Sequence, residues 1–400
     1  MSEEQIKKAS EHFEKLVREQ LERVERMKDE PDWTDYSKLE KISIGACSGD
    51  GIGPAITESA IIVLNFLLES EINAGKVEIK RIDGLTIENR VKVMKAIPDD
   101  VLAELKECHT ILKGPTTTPW KGNKYGWPNI ESANVSMRRE LDLFANVRPV
   151  RVPEKNIDWM FYRENTEGAY VLGSKGVDVS DDLAMDFKVI TNQGSDRIIR
   201  AAFEYASKNN INKVTVVTKA NVVKKTDGKF LSIAEQVAKD YPQVEWDDWY
   251  IDIMTAKLID PARQSSFRVI TAPNLYGDII TDEAAQIQGG LGTAGAANIG
   301  KKYSMFEAVH GSALKMVDDG RAHFADPTSM IKGASMLLNH IGFTDKSAKL
   351  DKAIDICSQY EKKITITGRD TGCTGEEMAQ YIIETIKDPN LEQKWQSYQK

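Results

Sequence analysis

The sequence has few cysteines, no long apolar run and no excess of positive charge. Its four cysteines are far apart and belong to no metal-binding motif, which predicts neither a disulfide framework nor a zinc site and fits a reducing compartment. They are Cys47, Cys108, Cys357 and Cys373. No apolar run could cross a bilayer, and the first residues, MSEEQIKK, resemble neither a secretory signal nor a transit peptide. We therefore expect a cytoplasmic protein.

The balance of charge excludes two kinds of partner. The formal net charge is -8 at pH 7. Nucleic acids and anionic membranes need a basic face, so we expect neither as a partner. A small anionic substrate is compatible with this charge if arginines are concentrated locally. With 41% apolar and 28% charged residues, the 400-residue chain has the composition of a soluble globular protein, and its length predicts about two domains.

The beginning of the chain carries apolar residues at near-helical spacing among many charges. They are Ile6, Phe13, Leu16, Val17, Leu21, Val24 and Met27. This pattern predicts an amphipathic helix that packs on the main body or on a second subunit. Glu30-Pro31-Asp32 is expected to end it.

Strands and helices are predicted to alternate after this helix. A strand at residues 41–46, the glycine loop SGDGIGP and a helix at residues 55–68 make the opening unit of an α/β domain. Further strands are predicted at residues 110–112, 158–162, 213–218 and 267–272. Polar or charged residues follow several of these strands, and open α/β sheets place their sites beyond the carboxyl ends of strands.

Residues 132–148, SANVSMRRELDLFANVR, hold more anion-binding chemistry than any other segment of similar length. Ser132 or Asn134 can cap the helix that follows. Arg138 lies four residues after Asn134 and shares its helix face, and Arg148 follows in an extended run. Because guanidinium groups bind carboxylates through two parallel hydrogen bonds, the segment predicts a cradle for a small polycarboxylate. The alternative is a solvated basic helix face.

A second segment, NLYGDIITD, offers carboxylates for a metal ion. Asp278 and Asp282 are four residues apart, so they face one way on a helix, where like charges destabilise it slightly. A divalent cation turns that repulsion into coordination, and Mg²⁺ or Mn²⁺ suits such oxygen ligands. Asp252 provides a third carboxylate. The alternative is a pair of acids stabilised by the dipole at a helix start.

Gly290-Leu291-Gly292-Thr293-Ala294-Gly295 matches the dinucleotide fingerprint G-x-G-x-x-G, but its context argues against that function. The fingerprint needs a preceding strand and a following helix. Here residues 282–288 are predicted as a helix and residues 296–300 as a loop. A cofactor is therefore expected to bind outside a Rossmann crevice.

Three single residues have suitable chemistry that their positions alone do not establish. His310 precedes Gly311, and such a pair is more often a turn than a site. Tyr170 and Lys219 are a potential acid and base.

Taken together, these segments resemble the isocitrate and isopropylmalate dehydrogenases, from about residue 41 to about residue 385. The family's motifs stand here in its order: GDGIGP, KGPTTTP, SANVSMRRELDLFANVRPV, FYRENTEGAY, VTKAN, NLYGDIITDEAAQ, GGLGTAGAANIG and FEAVHGSA. The resemblance implies a two-domain α/β fold that is not a Rossmann fold. Residues 1–40 would be a helical extension, residues 41–143 and 289–400 a large domain, and residues 144–288 a small domain with a dimer clasp at about 168–190.

The resemblance also implies a role for each matching position. The substrate carboxylates would be bound by Ser132, Asn134, Arg138, Arg148 and Arg163. Tyr170 and Lys219 would be the acid and base, and Asp252, Asp278 and Asp282 would bind Mg²⁺ or Mn²⁺. Cofactor contacts would come from Thr117, Thr118, Asn221, His310, Gly311, Ser312, Ala313, Lys315, Met316 and Asp326. Since Lys219 and Asp252 would reach the site of a second copy, a homodimer with shared active sites is implied.

Residues at two places bear on the choice of substrate and cofactor. Ser132 and Asn134 resemble the isocitrate branch, because the isopropylmalate branch usually has larger apolar residues there. The implied reaction is the metal-dependent oxidative decarboxylation of isocitrate to 2-oxoglutarate, a step of the tricarboxylic acid cycle. Lys315 stands where NAD users usually carry an acid, which favours NADP over NAD. Asp318 and Asp319 nearby weaken that preference.

Two alternatives stay open at this stage. The first is a dehydrogenase for another 2-hydroxy acid of the family: isopropylmalate, homoisocitrate or tartrate. The second is a non-catalytic regulatory subunit that keeps the fold and binds citrate-like anions. Such a subunit would be expected to lack at least one of the acid, the base and the three aspartates, and the sequence has them all.

Overall fold

In the computed structural model of the protein, the described residues are 3–29, 31–120, 122–173, 175–290 and 294–398. The chain divides into two compact units. Unit 1 comprises Met1–Trp33 and Asp142–Ala284, and unit 2 comprises Thr34–Leu141 and Ala285–Lys400. Strands and helices alternate in both units, which confirms the predicted α/β class.

The elements are numbered in chain order. The strands are β1 (Ile42–Cys47), β2 (Val77–Arg81), β3 (Thr110–Lys113), β4 (Ala145–Val152), β5 (Ile157–Glu164), β6 (Val177–Ser180), β7 (Leu183–Met185), β8 (Lys213–Thr218), β9 (Glu245–Tyr250), β10 (Val269–Ala272), β11 (Gly295–Ile299) and β12 (Ser304–Ala308). The helices are α1 (Glu3–Arg26), α2 (Gly53–Leu67), α3 (Glu69–Asn73), α4 (Ile87–Val93), α5 (Asp99–Lys106), α6 (Ala133–Glu140), α7 (Asn192–Lys208), α8 (Thr226–Val237), α9 (Ile251–Leu258), α10 (Asn274–Gln288), α11 (Leu314–Asp318), α12 (Thr328–His340), α13 (Thr344–Asp355), α14 (Gly375–Lys387) and α15 (Leu391–Ser397). The five strands predicted from the sequence correspond to β1, β3, β5, β8 and β10.

Unit 2 is built on the strand order β2-β1-β3-β12-β11. Its strands pair in parallel except for β11, which is antiparallel to β12. The side chains of β1, β3 and β12 are buried throughout, as expected for strands with both faces covered. Helices α2 and α12 pack against these strands and against each other.

The prediction of a loop at residues 296–300 was wrong, because strand β11 covers residues 295–299. The sequence Gly-Ala-Ala-Asn-Ile has weak strand propensity, but pairing with β12 and burial override it. A Cβ on Gly295 would lie 2.7 Å from the backbone nitrogen of Gly333 in α12. Small residues are therefore needed here for helix and strand to pack closely. Leu291, Gly292 and Thr293 of the rejected fingerprint lie outside the described residues.

Unit 1 is built on the strand order β4-β5-β10-β8-β9. Strands β4 and β5 are antiparallel, and the remaining neighbours are parallel. Helix α7 packs on β5, β8 and β10. The parallel arrangement brings the carboxyl ends of β5, β8 and β10 to the same edge of the sheet. Most of the predicted site residues of this unit lie at or after those ends, whereas Arg148 lies within β4 and Asp252 follows β9.

Helix α1 confirms the predicted amphipathic helix and clusters with unit 1. It packs against the exposed antiparallel hairpin of β6 and β7. The rings of Phe13 and Phe187 have centroids 5.4 Å apart, and Lys175 donates a hydrogen bond to Glu19 at 2.7 Å. The helix ends at Arg26, before the predicted stop, of which Glu30 lies outside the described residues. The dimer clasp expected at about residues 168–190 contains this hairpin, and its role stays a prediction; Ser174 of that range is not described.

The other global expectations concern cysteines and membrane segments. All four cysteines are free thiols, and three of them are buried. Among the described residues, every helix is too short or too polar to cross a membrane.

Candidate active site

Helix α10 of unit 1 presents two aspartates to one arginine. Asp278 and Asp282 lie one helical turn apart, as predicted. Arg148 on β4 donates a hydrogen bond from Nη1 to Oδ1 of Asp282 at 2.8 Å, and its Nη2 lies 3.8 Å from Oδ1 of Asp278. The guanidinium is buried and is also held by Asn146, which accepts from Nε at 2.9 Å. Both carboxylates remain partly exposed, whereas the arginine is fixed.

Arg163 joins the same cluster from the end of β5. Its side chain is buried, and its Nε and Nη2 donate to Oδ1 of Asn274 at 3.1 and 2.7 Å. It also forms an ion pair with Asp278. A Cβ on Gly277 would lie 2.5 Å from Cγ of Arg163, so only glycine leaves room for the arginine to pass α10.

Tyr170 completes this arrangement. Its hydroxyl donates a hydrogen bond to Oδ2 of Asp278 at 2.8 Å, and the guanidinium of Arg163 lies 5.6 Å from the centre of its ring. A phenol held against a carboxylate and a guanidinium is fixed in orientation. The structure therefore brings together five predicted residues in unit 1: Arg148, Arg163, Tyr170, Asp278 and Asp282.

Lys219 and Asp252 form a separate pair in unit 1. Lys219 follows β8 and Asp252 lies in the first turn of α9, and the Nζ of Lys219 donates to Oδ1 of Asp252 at 2.5 Å. That hydrogen bond holds the pKa of Asp252 below its ordinary value. Asn221 follows Lys219 in an exposed turn.

The three predicted metal ligands differ in their surroundings. Within the described parts of one chain, no group of three His, Cys, Asp or Glu side chains is placed to hold a metal ion. Asp278 and Asp282 nevertheless offer oxygen ligands one helical turn apart, and that donor type fits Mg²⁺ or Mn²⁺. The remaining aspartate, Asp252, is engaged by Lys219. The donor chemistry therefore fits a divalent cation, with two carboxylates from α10.

In unit 2, the predicted substrate-binding residue Arg138 is anchored by a buried acid. Its Nη2 donates to Oε1 of Glu307 on β12 at 3.2 Å. Lys113 lies 3.0 Å from the other carboxylate oxygen, and Asn298 donates to Oε1 at 2.8 Å. Burial by itself raises the pKa of Glu307, but the positive charges of Lys113 and Arg138 outweigh it and hold that pKa at about 2. The acid is therefore charged and keeps Arg138 in place.

One donor of Arg138 has no acceptor among the residues that the structure describes. Its Nε is buried and makes no hydrogen bond within the described residues. Leaving a buried donor without an acceptor costs about 1–3 kcal/mol, and more for a charged group. A carboxylate ligand would satisfy it.

The cap position predicted at Ser132 was right, but the predicted capping hydrogen bond was wrong. Ser132 occupies the position before α6, but its side chain makes no capping hydrogen bond. Asn134 instead accepts a hydrogen bond at Oδ1 from the hydroxyl of Thr116 at 2.8 Å. This hydrogen bond to Thr116 of the KGPTTTP segment thus replaces a local capping bond. It also fixes the side chain of Asn134.

The predicted cofactor loops of unit 2 are held by buried residues of the GDGIGP loop. Asp50 accepts hydrogen bonds from the backbone nitrogens of Ile87 and Thr117, each at 2.6 Å. The hydroxyls of Thr117 and Ser312 are 2.8 Å apart. A Cβ on Gly51 would lie 1.9 Å from the carbonyl oxygen of Ser312, so glycine is required for these loops to meet. Thr117 and Ser312, two predicted cofactor residues, are therefore in contact.

The remaining predicted cofactor residues of unit 2 are Thr118 and a group between His310 and Asp326. His310 hydrogen-bonds to the carbonyl of Gly311 at 3.1 Å, and Ala313 has a left-handed backbone with a φ of 45°. Thr118, Gly311, Ala313, Lys315 and Asp326 are exposed, and Met316 is half-buried. Asp326 accepts a hydrogen bond from the backbone of Thr328 at 2.9 Å.

A comparison with known proteins identifies the family. The isocitrate/isopropylmalate dehydrogenase family matches residues 43–382. The chain belongs to this family.

Relatives and a solved structure agree with this assignment. A homoisocitrate dehydrogenase of Methanocaldococcus jannaschii is 37% identical over 85% of this chain and 97% of its own length. An isocitrate dehydrogenase [NADP] of Rickettsia prowazekii is 40% identical over 76% of this chain, which spans 61% of that longer protein. The crystal structure of isocitrate dehydrogenase from Methylococcus capsulatus superposes with a TM-score of 0.74 at 34% identity, covering 87% of this chain and 100% of its own. The fold is that of the isocitrate/isopropylmalate dehydrogenases.

Several residues that hold predicted site residues in place, within unit 1 or within unit 2, were not predicted from the sequence. They are Asn274 in unit 1 and Asp50, Lys113, Asn298 and Glu307 in unit 2, together with Arg90, whose Nη1 donates a hydrogen bond to the carbonyl oxygen of Thr117 at 2.8 Å. A signal was present for Lys113 and Glu307, because each is the only charged residue of its strand, and a buried charge needs a partner. Which partner it has could not be inferred, since the two residues are distant along the chain.

Proposed function

We propose that the protein is a metal-dependent isocitrate dehydrogenase that decarboxylates isocitrate to 2-oxoglutarate. The observation that carries the proposal is the cluster of Arg148, Arg163, Asp278, Asp282 and Tyr170. It combines cations that bind carboxylates, acids that bind a divalent metal, and a phenol that can give a proton.

The charges of this cluster support binding of a metal together with a polyanion. Its two arginines and two aspartates sum to zero, and each aspartate is occupied by an arginine. A divalent cation alone would leave the site with excess positive charge, and a tricarboxylate alone would have to compete with the aspartates. Together, the cation engages the aspartates while the guanidinium groups turn to the substrate carboxylates.

The roles in the reaction follow from the side-chain chemistry. Asp278 and Asp282 would hold Mg²⁺ or Mn²⁺ together with Asp252 of a second copy, and Lys219 of that copy would accept the hydroxyl proton of the substrate. The bound cation supplies polarisation of the hydroxyl and stabilisation of the enolate that forms on loss of carbon dioxide. Tyr170, oriented by Asp278 and Arg163, would deliver a proton to the resulting carbon. The active unit is therefore a homodimer with shared sites.

Ser132 and Asn134 favour isocitrate over isopropylmalate. Both are small polar side chains that can hydrogen-bond to a carboxylate, whereas an alkyl substituent needs an apolar surface. The oxygen of Asn134 accepts from Thr116, which leaves its amide group to donate to a ligand. Homoisocitrate is the second candidate, because a relative of that name aligns over 97% of its own length.

Lys315 supports NADP as the hydride acceptor, with NAD as the alternative. Its side chain is 82% exposed and only 3.8 Å from Asp319, which pairs more closely with Arg321 at 2.7 Å. The other nearby acid, Asp318, accepts hydrogen bonds from Lys124 at 2.5 Å and from the hydroxyl of Tyr125 at 2.8 Å. Both acids thus have other cationic partners, and Lys315 is left able to bind a ribose phosphate.

A comparison of rates tests the proposal. The purified protein would be assayed with isocitrate, homoisocitrate and isopropylmalate, each with NADP and with NAD, first with Mg²⁺ and then with a chelator. We expect the highest kcat/KM with isocitrate and NADP, and loss of activity with chelator. A higher kcat/KM with another of the three acids would reject the substrate, and activity that survives chelation would reject the role of the metal.

A further inference from the structure

Helix α1 lies before the residues that the family shares, and one of its side chains reaches the motif that carries Tyr170. Arg23 donates from Nη1 to Oε1 of Glu167 at 3.1 Å, and its Nη2 lies 3.5 Å from the carbonyl oxygen of Thr166. The Glu167 side chain is fully buried and that of Arg23 is 15% exposed. This contact is therefore an ion pair inside unit 1, unlike the exposed pairs that α1 makes elsewhere.

The surroundings of Glu167 show why a cation is needed there. A second carboxylate, Glu164, is also buried and accepts a hydrogen bond from the backbone nitrogen of Glu167 at 2.7 Å. Burial and the negative charge of Glu167 raise the pKa of Glu164 to about 7. Glu167 itself accepts from the backbone nitrogen of Thr191 at 2.8 Å. Without Arg23, the charge of Glu167 would be buried with hydrogen bonds but with no direct ion pair among the described residues.

A short series of contacts connects Glu167 to the candidate site. Its carbonyl oxygen accepts a hydrogen bond from Nδ2 of Asn274 at 3.1 Å, and the oxygen of the same amide holds Arg163. Next along the chain, Gly168 has a φ of 79°, and a Cβ there would lie 3.1 Å from Cβ of Asn274. Two residues further on, Tyr170 donates to Asp278. Movement of the turn at residues 164–170 would therefore displace both Tyr170 and Arg163.

We propose that Arg23 is a positioning residue: from a helix outside the shared family region, it fixes Glu167 and thereby the orientation of Tyr170. Its catalytic consequence rests on the proposed function, because it requires Tyr170 to act as the proton donor. Its structural consequence, a fixed turn at residues 164–170, does not depend on that function.

Four variants separate these consequences. Arg23→Met removes the cation and keeps most of the apolar side chain, Arg23→Lys keeps the charge, and Arg23→Met with Glu167→Gln removes both charges. Arg18→Met is the matched control, since it makes the same change on α1 but breaks only an exposed pair with Glu14.

The first measurement is steady-state turnover of isocitrate. We expect Arg23→Met to lower kcat about tenfold or more while KM changes by less than about threefold, because misplacing a reacting group costs rate more than binding. The kcat of Arg23→Lys should stay within about threefold of that of the unchanged protein. The double variant should recover at least about half of the loss in log kcat that Arg23→Met causes.

The second measurement is amide hydrogen exchange without any ligand. In Arg23→Met the amides of residues 166–170 should exchange about tenfold faster, while those of β8 stay unchanged, because the turn opens locally. Arg18→Met should leave kcat unchanged, and it should leave the exchange rates of residues 166–170 and of β8 unchanged.

The proposal is overturned if Arg23→Met matches Arg18→Met in kcat and in exchange. It is also overturned if exchange accelerates equally across unit 1 and the double variant recovers nothing, since Arg23 would then only stabilise the fold. If the unchanged protein does not turn over isocitrate, the proposed function fails, and the exchange measurement still decides whether Arg23 holds the turn.

Discussion

Arginines in the two units are held by acids in two different ways. In unit 1, Arg148 and Arg163 are buried while their partners on α10, Asp278 and Asp282, are partly exposed. In unit 2, Arg138 is held by Glu307, which is itself buried and shared with Lys113. Exposed acids can change partner when a ligand arrives, whereas a buried acid with two cationic partners cannot do so cheaply.

This difference in exposure distinguishes acids that can bind a ligand from an acid that only anchors an arginine. Arg148 and Arg163 can release Asp278 and Asp282 to a metal ion, because water and ligands reach both carboxylates. Glu307 holds Arg138 by a buried ion pair, and within the described part of the chain the Nε of Arg138 has no acceptor. We therefore expect the same pairing of guanidinium and carboxylate to be exchangeable at Arg148 and Arg163 and fixed at Arg138.

The largest effect is expected from Asp278→Asn. This change removes a proposed metal ligand and the acceptor of Tyr170, so we expect kcat/KM for isocitrate to fall about a thousandfold with the fold retained. Steady-state kinetics would measure kcat/KM, and circular dichroism would check that the fold is retained. Asp158→Asn, which breaks an exposed pair with Arg268, should change neither. A loss of less than about tenfold would show that Asp278 is not part of an exchangeable site.

The second effect concerns stability. Glu307→Gln leaves Lys113 and Arg138 buried without their shared partner, so the free energy of unfolding should fall by about 3 kcal/mol. Urea unfolding would measure it. Glu78→Gln breaks an exposed pair with Lys41 and should cost less than about 1 kcal/mol. Equal losses in the two variants would remove the distinction between anchored and exposed acids.

The third effect is the pH dependence of that loss. The pKa of Glu307 is lowered from 4.5 to about 2, so its contribution is fully present above pH 4.5 and is lost as the pH falls toward 2. The difference in unfolding free energy between the unchanged protein and Glu307→Gln should therefore be constant from pH 7 to 5 and shrink below 4.5. Urea titrations across this range would measure it. A difference that stays constant down to pH 3 would mean that the charge of Glu307 is not what stabilises unit 2.

The smallest effect is on the choice of coenzyme. Lys315→Asp changes an exposed cation in unit 2 and should lower kcat/KM with NADP about tenfold while NAD changes little, because only NADP carries the extra phosphate. Initial rates with each coenzyme would measure it, with Lys76→Asp as an exposed lysine control. An equal loss with both coenzymes would contradict the selector role of Lys315.

The elements that the sequence predicted well are those with strong local signals. Strand β8 is a β-branched run, and residues 282–288 of α10 were predicted as a helix. Asp278 and Asp282 could be assigned to one helix face because they are four residues apart. Strand β11 could not be predicted, because its small residues are suitable only once β12 and α12 cover them.

Contacts between distant residues could not be predicted. Asn134 has the chemistry of a helix cap, yet Thr116 takes its side chain. Glu307 is a lone acid in an apolar strand, which indicates a buried pair but not that Lys113 and Arg138 supply it. Likewise, the amphipathic pattern of α1 predicts packing, but not that Arg23 reaches Glu167. Local rules give the side-chain types at a site, and only the fold gives their partners.

Titration of Mn²⁺ into the protein by calorimetry, with and without isocitrate, tests the central claim most directly. Because the arginines already neutralise Asp278 and Asp282, we expect isocitrate to tighten Mn²⁺ binding at least about tenfold, and Asp278→Asn to abolish that coupling. Binding of Mn²⁺ that is equally tight with and without isocitrate, or that Asp278→Asn leaves unchanged, would contradict it.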